Sequence, residues 1–220
     1  MLNVLPWGRP ALTELYRKIS GKNWSHCGIP INAAVIVDLS WLRDVIPSAI
    51  GIWFTDVGLW SDCDADMVIW TDTSLRNALA FVYSNKGFLY PIKAPPEGKK
   101  VDIFFLELMA IASAVHHAGS LPQPPRRVLV WTDSLDSVAV LNSLHTTESV
   151  HNAPLLAIAE VIIQTGMDLR VRFIEGKMNV CADMLSRLLI DEYQSKFPAD
   201  RVHRFAPPRE LLPARWRECF

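Results

Sequence analysis

Two stretches of the sequence, VIWTDTS at residues 68–74 and VLVWTDS at residues 128–134, share one pattern. Each is an apolar, β-branched run that predicts a buried strand, and each ends in Trp-Thr-Asp before a final serine or threonine. An aspartate at the end of a buried strand is unfavourable unless something there uses its charge. If the two strands are neighbours, Asp72 and Asp133 lie side by side, and a divalent cation supplies the counter-charge that they need.

The pattern on both sides of these stretches predicts the other elements of an α/β domain. We expect five strands, at residues 67–72, 78–84, 88–93, 127–132 and 169–174. We expect four helices after the third strand, at about residues 102–118, 134–144, 153–165 and 180–193. The SNKG sequence at residues 84–87 is typical of a hairpin turn. This order predicts a mixed five-stranded sheet flanked by helices.

The sheet domain, which we place at residues 61–192, has a different kind of sequence on each side. Residues 1–60 contain two apolar stripes at helical spacing, within residues 11–22 and 31–46, and predict a helical N-terminal extension. Neither helix is long enough to be stable alone in water, so we expect the extension to pack on the sheet domain. Residues 193–220 are Pro-rich and locally basic without clear periodicity, and we interpret them as an extended C-terminal arm.

The composition limits the classes of protein to consider. The chain has 220 residues, half of them hydrophobic, and a formal net charge of −1, so a nucleic-acid partner needs a local basic face. The four cysteines lie far apart without zinc-site spacing, which indicates reduced thiols in an intracellular protein, cytoplasmic or nuclear. No run of eighteen apolar residues is present, so we expect no membrane span.

Two further acids extend the candidate site. Glu107 lies on the apolar face of its predicted helix, where an unpaired acid is seldom found. Asp183 lies near the start of the last predicted helix, for which Asn179 is the candidate N-cap. Each acid alone has a structural alternative: Asp133 as a helix cap, Glu107 as the partner of a Lys or Arg, and Asp183 as a favourable charge at a helix N-terminus. Together, four carboxylates can hold two Mg²⁺ or Mn²⁺ ions, which prefer oxygen ligands.

The segment IEGKMNVCADMLSR at residues 174–187 resembles the G-K-x-N-x-x-A-D-x-L-S-R ending of ribonuclease H domains in LTR and tyrosine-recombinase retrotransposons. WTDTS and WTDS are similar to the T-D-A-S and T-D-S sequences of that family. Upstream, LPWGRPALTELYRKISG and VDLSWL look like the segment that connects the reverse transcriptase polymerase to ribonuclease H. The resemblance implies a ribonuclease H-like fold, with four metal-binding acids at Asp72, Glu107, Asp133 and Asp183.

By this resemblance, the protein is expected to be a metal-dependent endoribonuclease that hydrolyses the RNA strand of RNA/DNA hybrids with two Mg²⁺ or Mn²⁺ ions. Its partners would be the hybrid and, if the chain is part of a retroelement polyprotein, the remainder of that polyprotein. Three short polar residues beside the acids either contact the hybrid or cap turns: Ser74, Ser134 and Asn179.

The sequence departs from the family in two places. Many members carry a histidine in the loop before the last aspartate, and RFIEGKMN at residues 172–179 has none. LRNALA stands at residues 75–80 in place of a Gly-rich stretch. These departures support a second hypothesis, a domesticated and catalytically weak or inactive domain that binds nucleic acid or protein. The four acids favour the enzyme, because a scaffold has no reason to keep clustered charge.

Overall fold

The computed structural model describes residues 5–22, 28–50, 60–92 and 102–208. Its centre is a sheet in the strand order β5-β4-β1-β2-β3-β6. The strands are β1 Met67–Thr73, β2 Ala78–Tyr83, β3 Lys86–Pro91, β4 Arg127–Thr132, β5 Asp168–Phe173 and β6 Arg201–Arg204. Antiparallel pairing joins β1 to β2 and β2 to β3, whereas the other neighbours are parallel, so the sheet is mixed as expected.

The sheet has six strands where the sequence predicted five. The extra strand, β6, lies within residues 193–220, which we interpreted as an extended arm, and it pairs with the edge strand β3. Three of its four residues are exposed, and only Val202 is apolar. Such a short segment carries no period-two pattern of its own, so its strand conformation comes from pairing with β3.

The helices are α1 Thr13–Ile19, α2 Ala33–Val45, α3 Ile103–Gly119, α4 Leu135–Ser143, α5 Ser149–Thr165, α6 Val180–Ser186 and α7 Ile190–Lys196. The prediction of a single helix at residues 180–193 was wrong, because this stretch forms two separate helices, α6 and α7. Leu188 between them has a φ of 62°, and a left-handed residue cannot continue a right-handed helix. The turn lets α7 fold back so that Tyr193 packs beside Leu185 of α6.

Helices cover both faces of the sheet. On one face, α3 packs against β1 and α5 packs against α3, with Ile69, Ile111 and Ile158 fully buried in one core. On the other, α6 and α7 bury Leu185 and Tyr193 against β2 and β3. Between β2 and β3, the two-residue turn has positive φ at both positions, 44° and 60°, as a tight hairpin requires. The hairpin predicted from SNKG is therefore confirmed.

The described part of the N-terminal extension packs against α5. The Asn152 side-chain amide donates to the carbonyl of Pro10 at 3.1 Å, and the Trp41 indole donates to Glu160 at 3.3 Å. The domain boundaries at residues 60 and 192 stay predictions, and residues 51–59, which precede the first boundary, lie outside the described residues. No helix in the described ranges combines the length and the apolar character needed to cross a membrane.

Candidate metal centre

Two neighbouring parallel strands bring the two aspartates of the repeated pattern together. Trp70 of β1 is paired with Trp131 of β4, and each aspartate stands two residues beyond that pair. Asp72 and Asp133 therefore leave the sheet at the same edge, as the sequence predicted from neighbouring strands. Asp72 is only 5% exposed, whereas Asp133 is half-buried.

The third acid reaches this edge from α3. The helix begins after Asp102, whose carboxylate accepts a hydrogen bond from the backbone N–H of Phe105 at 2.7 Å. One turn further on, the apolar face that packs on the sheet includes Glu107, which is 7% exposed. One carboxyl oxygen from each of Asp72, Glu107 and Asp133 lies within 4.8 Å of the other two. We call these three residues the acid cluster.

The structural alternatives for two of these acids do not hold. Asp133 does not cap α4, because the cap is Ser134, whose hydroxyl accepts from the N–H of Ser137 at 3.3 Å. Glu107 is not neutralised by a basic residue, since none of the described Lys or Arg side chains forms an ion pair with it. Its Oε2 is buried without a hydrogen-bond partner. A buried, unpartnered carboxyl oxygen is rare, and a bound cation would account for it.

The electrostatics of the cluster follow from burial. Desolvation, and then the nearby charges of Asp72 and Asp133, raise the pKa of Glu107 to about 9. Desolvation also raises the pKa of Asp72 to about 7, opposed by a hydrogen bond from Ser186 and increased by Asp133 and Asp183. In the absence of a cation these acids therefore hold protons that ordinary carboxyl groups release well below neutral pH.

The fourth acid, Asp183, lies at the rim rather than in the acid cluster. It lines the same cleft of about 570 Å³ as the other three acids. Its Oδ1 accepts a hydrogen bond from Nε of Arg187 at 2.6 Å, and the resulting ion pair is partly exposed. The structure thus brings three predicted acids together and places the fourth beside them, paired with Arg187, the residue that directly follows α6.

The three residues predicted to contact substrate occupy different environments. Ser74 lines the cleft, whereas Ser134 caps α4. Asn179 stands at the N-cap position of α6 but makes no capping bond, so that part of the prediction was wrong. Its side-chain amide donates instead to the carbonyl of Thr71 at 2.9 Å, and the residue is 1% exposed.

Two site residues were missed by the sequence reasoning. Ser186 donates a hydrogen bond to Oδ2 of Asp72, and Arg187 pairs with Asp183. Both lie in the segment of residues 174–187 that carries the resemblance to ribonuclease H. Their place at the end of that motif is the signal from which they could have been predicted.

Among known proteins, the chain shows similarity to solved structures. No protein-family model matches the chain, and no curated protein matches it. Among solved structures, the chain is similar to the crystal structure of RNase H1 from the halophilic archaeon Halobacterium salinarum NRC-1. The two share 15% sequence identity over 57% of this chain and 98% of that chain, with a TM-score of 0.43.

The donor set of the acid cluster suits a hard divalent cation. All three groups offer carboxyl oxygens, which Mg²⁺ and Mn²⁺ prefer, and the cluster contains no cysteine or histidine. A cation there would satisfy the unpartnered oxygen of Glu107 and offset the repulsion among the acids. The residues therefore fit a metal centre.

Proposed function

We propose that this protein is a metal-dependent ribonuclease H that hydrolyses the RNA strand of RNA/DNA hybrids. The proposal is carried by one observation: three acids, in β1, in α3 and directly after β4, have carboxyl oxygens within 4.8 Å of one another at the end of a mixed sheet, and no described Lys or Arg forms an ion pair with them. Clustered acids of this kind are costly in a metal-free fold, so a catalytic metal centre is the simplest reason for their presence.

The residues that would hold the ions are the acid cluster and Asp183. Mg²⁺ or Mn²⁺, two ions in the proposed reaction, would supply charge stabilisation for the attacking and leaving oxygens of phosphodiester hydrolysis. Because burial holds the pKa of Glu107 at about 9, binding of a cation at neutral pH would release its proton. The cleft is open to solvent on the side of Asp183 and Arg187, which leaves room for a nucleic-acid backbone.

The substrate would be recognised by the presence of a 2′-hydroxyl on one strand of the duplex only. Ser74 is the best-placed candidate for such a contact, because it lines the cleft beside the acids. Ser134 and Asn179 are weaker candidates, since their side chains already bond within the protein. The proposed origin in a retroelement polyprotein, and the intracellular location, rest on the sequence of residues 174–187 and on the cysteine pattern.

The direct test is incubation of the purified protein with labelled RNA/DNA hybrid, double-stranded RNA and double-stranded DNA, with and without Mg²⁺. We expect Mg²⁺-dependent cutting of the RNA strand of the hybrid alone. Glu107→Gln should abolish the cutting, whereas Glu192→Gln, which changes an exposed residue of α7, should leave it intact. Hybrid that stays intact with the wild-type protein in Mg²⁺ and in Mn²⁺ would reject the proposal.

A second candidate function is binding of nucleic acid or protein without catalysis. It is favoured by the position of Asp183, which is paired with Arg187 outside the acid cluster, and by the absence of histidine from residues 172–179. The same assay separates the two candidates when it is paired with a gel-shift measurement. Hybrid that is retained by the protein in Mg²⁺ but never cut identifies the binding module.

A further inference from the structure

Ser186 is a fully buried polar residue at the C-terminal end of α6, and the proposed chemistry gives it no role of its own. Its hydroxyl is within hydrogen-bond distance of two acceptors, Oδ2 of Asp72 and the carbonyl of Asp183 at 2.9 Å. One hydroxyl has one proton, so it donates to one of these acceptors at a time. The choice between them decides whether Ser186 serves the metal centre or only its own helix.

We propose that Ser186 is a positioning residue, which fixes the carboxyl group of Asp72 for cation binding. The inference rests on the proposed function for the identity of the site as a metal centre. Its test measures cation binding and does not require cleavage. Asp72 is 5% exposed, and in the described part of the chain its carboxyl group has one hydrogen-bond donor, the hydroxyl of Ser186. With one carboxyl oxygen held, the group no longer rotates freely about its last bond.

A contact at the N-terminal end of α6 helps to fix the position of Ser186 at its C-terminal end. Asn179, just before the helix, donates to the carbonyl of Thr71, and Ser186, its last residue, donates to Asp72. These two bonds attach the helix to consecutive residues of β1. Leu185, buried between α6 and the sheet, keeps the helix at this distance. The bond of Asn179 and the packing of Leu185 therefore help to hold Ser186 in place, and neither involves the acid cluster.

A residue that hydrogen-bonds to a metal ligand raises the affinity of the site by orienting that ligand. A ligand that is oriented before the cation arrives loses less conformational freedom on binding, and loss of such a supporting bond typically weakens metal affinity by about 10–100-fold. The alternative is that the hydroxyl bonds only the carbonyl of Asp183, as serines in helices commonly do. In that case its removal would change the stability of the fold but not the affinity for a cation.

The test compares Ser186→Thr with Ser186→Val in the full-length protein. Threonine and valine have nearly the same shape, so any steric cost of the extra atoms is common to both, and only the hydroxyl differs. Binding of Mn²⁺ is measured by electron paramagnetic resonance without nucleic acid, and Mg²⁺ by its competition with Mn²⁺. We expect Ser186→Thr to bind Mn²⁺ about 10–100-fold more tightly than Ser186→Val.

Equal Mn²⁺ affinity in the two variants would overturn the proposal, and so would a wild-type protein that binds no Mn²⁺. If neither variant folds, Ser186→Ala adds no volume and is compared with the wild type by the same measurement. A wild-type protein that binds Mn²⁺ but does not cut hybrid would count against the proposed function alone. The affinity difference between the hydroxyl and non-hydroxyl variants would still decide the role of Ser186.

Discussion

The side-chain amide of Asn179 donates a hydrogen bond to the backbone carbonyl of Thr71, one residue before the first acid of the cluster. The bond is 2.9 Å long and joins residues 108 positions apart in the chain. It attaches the start of α6 to the end of β1, at the point where the strand turns its aspartate toward the cleft. The geometry of Asp72 therefore depends on a residue that does not touch the acid cluster.

Replacement of Asn179 should weaken the fold. Asn179→Ala removes the donor to a carbonyl in the core, which typically costs about 1–3 kcal/mol. Because Oδ1 of Asn179 is itself buried without a partner, part of this cost is recovered, and we expect a loss of about 1–2 kcal/mol. Urea unfolding in EDTA measures it. Asn142→Ala, at an exposed position, is the control, and equal stability of the two variants would contradict the prediction.

The metal response of the protein should depend on Asp72. Mg²⁺ that binds only the native state stabilises it, by about 2.7 kcal/mol at a concentration 100-fold above the dissociation constant. We expect Mg²⁺ to raise the melting temperature of the wild type, and Asp72→Asn to reduce this rise and abolish hybrid cleavage. The control is Asp191→Asn, an exposed acid of α7. A wild-type melting temperature that stays constant across millimolar Mg²⁺ argues against the metal centre.

The stability of the metal-free protein should fall as the pH rises from about 4 to about 9. The pKa of Asp72 is raised from 3.8 to about 7, and that of Glu107 from 4.5 to about 9. Between these values the native state holds protons that the unfolded state has released, so each step up in pH favours unfolding. The stabilisation is fully present below about pH 4 and is lost as the pH passes the native pKa values.

Urea unfolding in EDTA at several pH values checks this prediction. Glu107→Gln cannot ionise, so it should remove the part of the decline between about pH 7 and 9, whereas Glu192→Gln should follow the wild type. Mg²⁺ should flatten the profile, because it binds the ionised acids. A wild-type profile in EDTA that rises or stays level over the same interval would show that the two acids are not protonated in the native state.

The N-terminal extension should be required for solubility. Removal of residues 1–59 would uncover apolar surface of α5 and break the bonds of Asn152 and Glu160 to the extension. Trp60 is kept, because it is 3% exposed and its indole donates to Asp168 of β5 at 2.7 Å. We expect the shortened protein to bind a hydrophobic dye and to aggregate. Limited proteolysis of the intact chain is the complementary measurement, and rapid cutting near residues 51–59 that leaves a soluble C-terminal fragment would contradict this expectation.

Local pattern was sufficient to predict the elements that form the candidate site. The two continuous apolar, β-branched runs before Asp72 and Asp133 are typical of buried strands, and Glu107 stands out because helical spacing places it on an apolar face. The hairpin at residues 84–85 was also predictable, because its turn needs residues that tolerate positive φ. These features depend on residues close together in the chain.

Contacts between distant segments decided the rest. The strand β6 forms because it pairs with β3, and the chain breaks the helix at Leu188 because Tyr193 packs back on the sheet. The bond from Ser186 to Asp72 joins residues 114 positions apart. Hydrophobic period and turn chemistry are properties of a short stretch of chain, whereas the partner of a buried polar group is set only when the segments pack together.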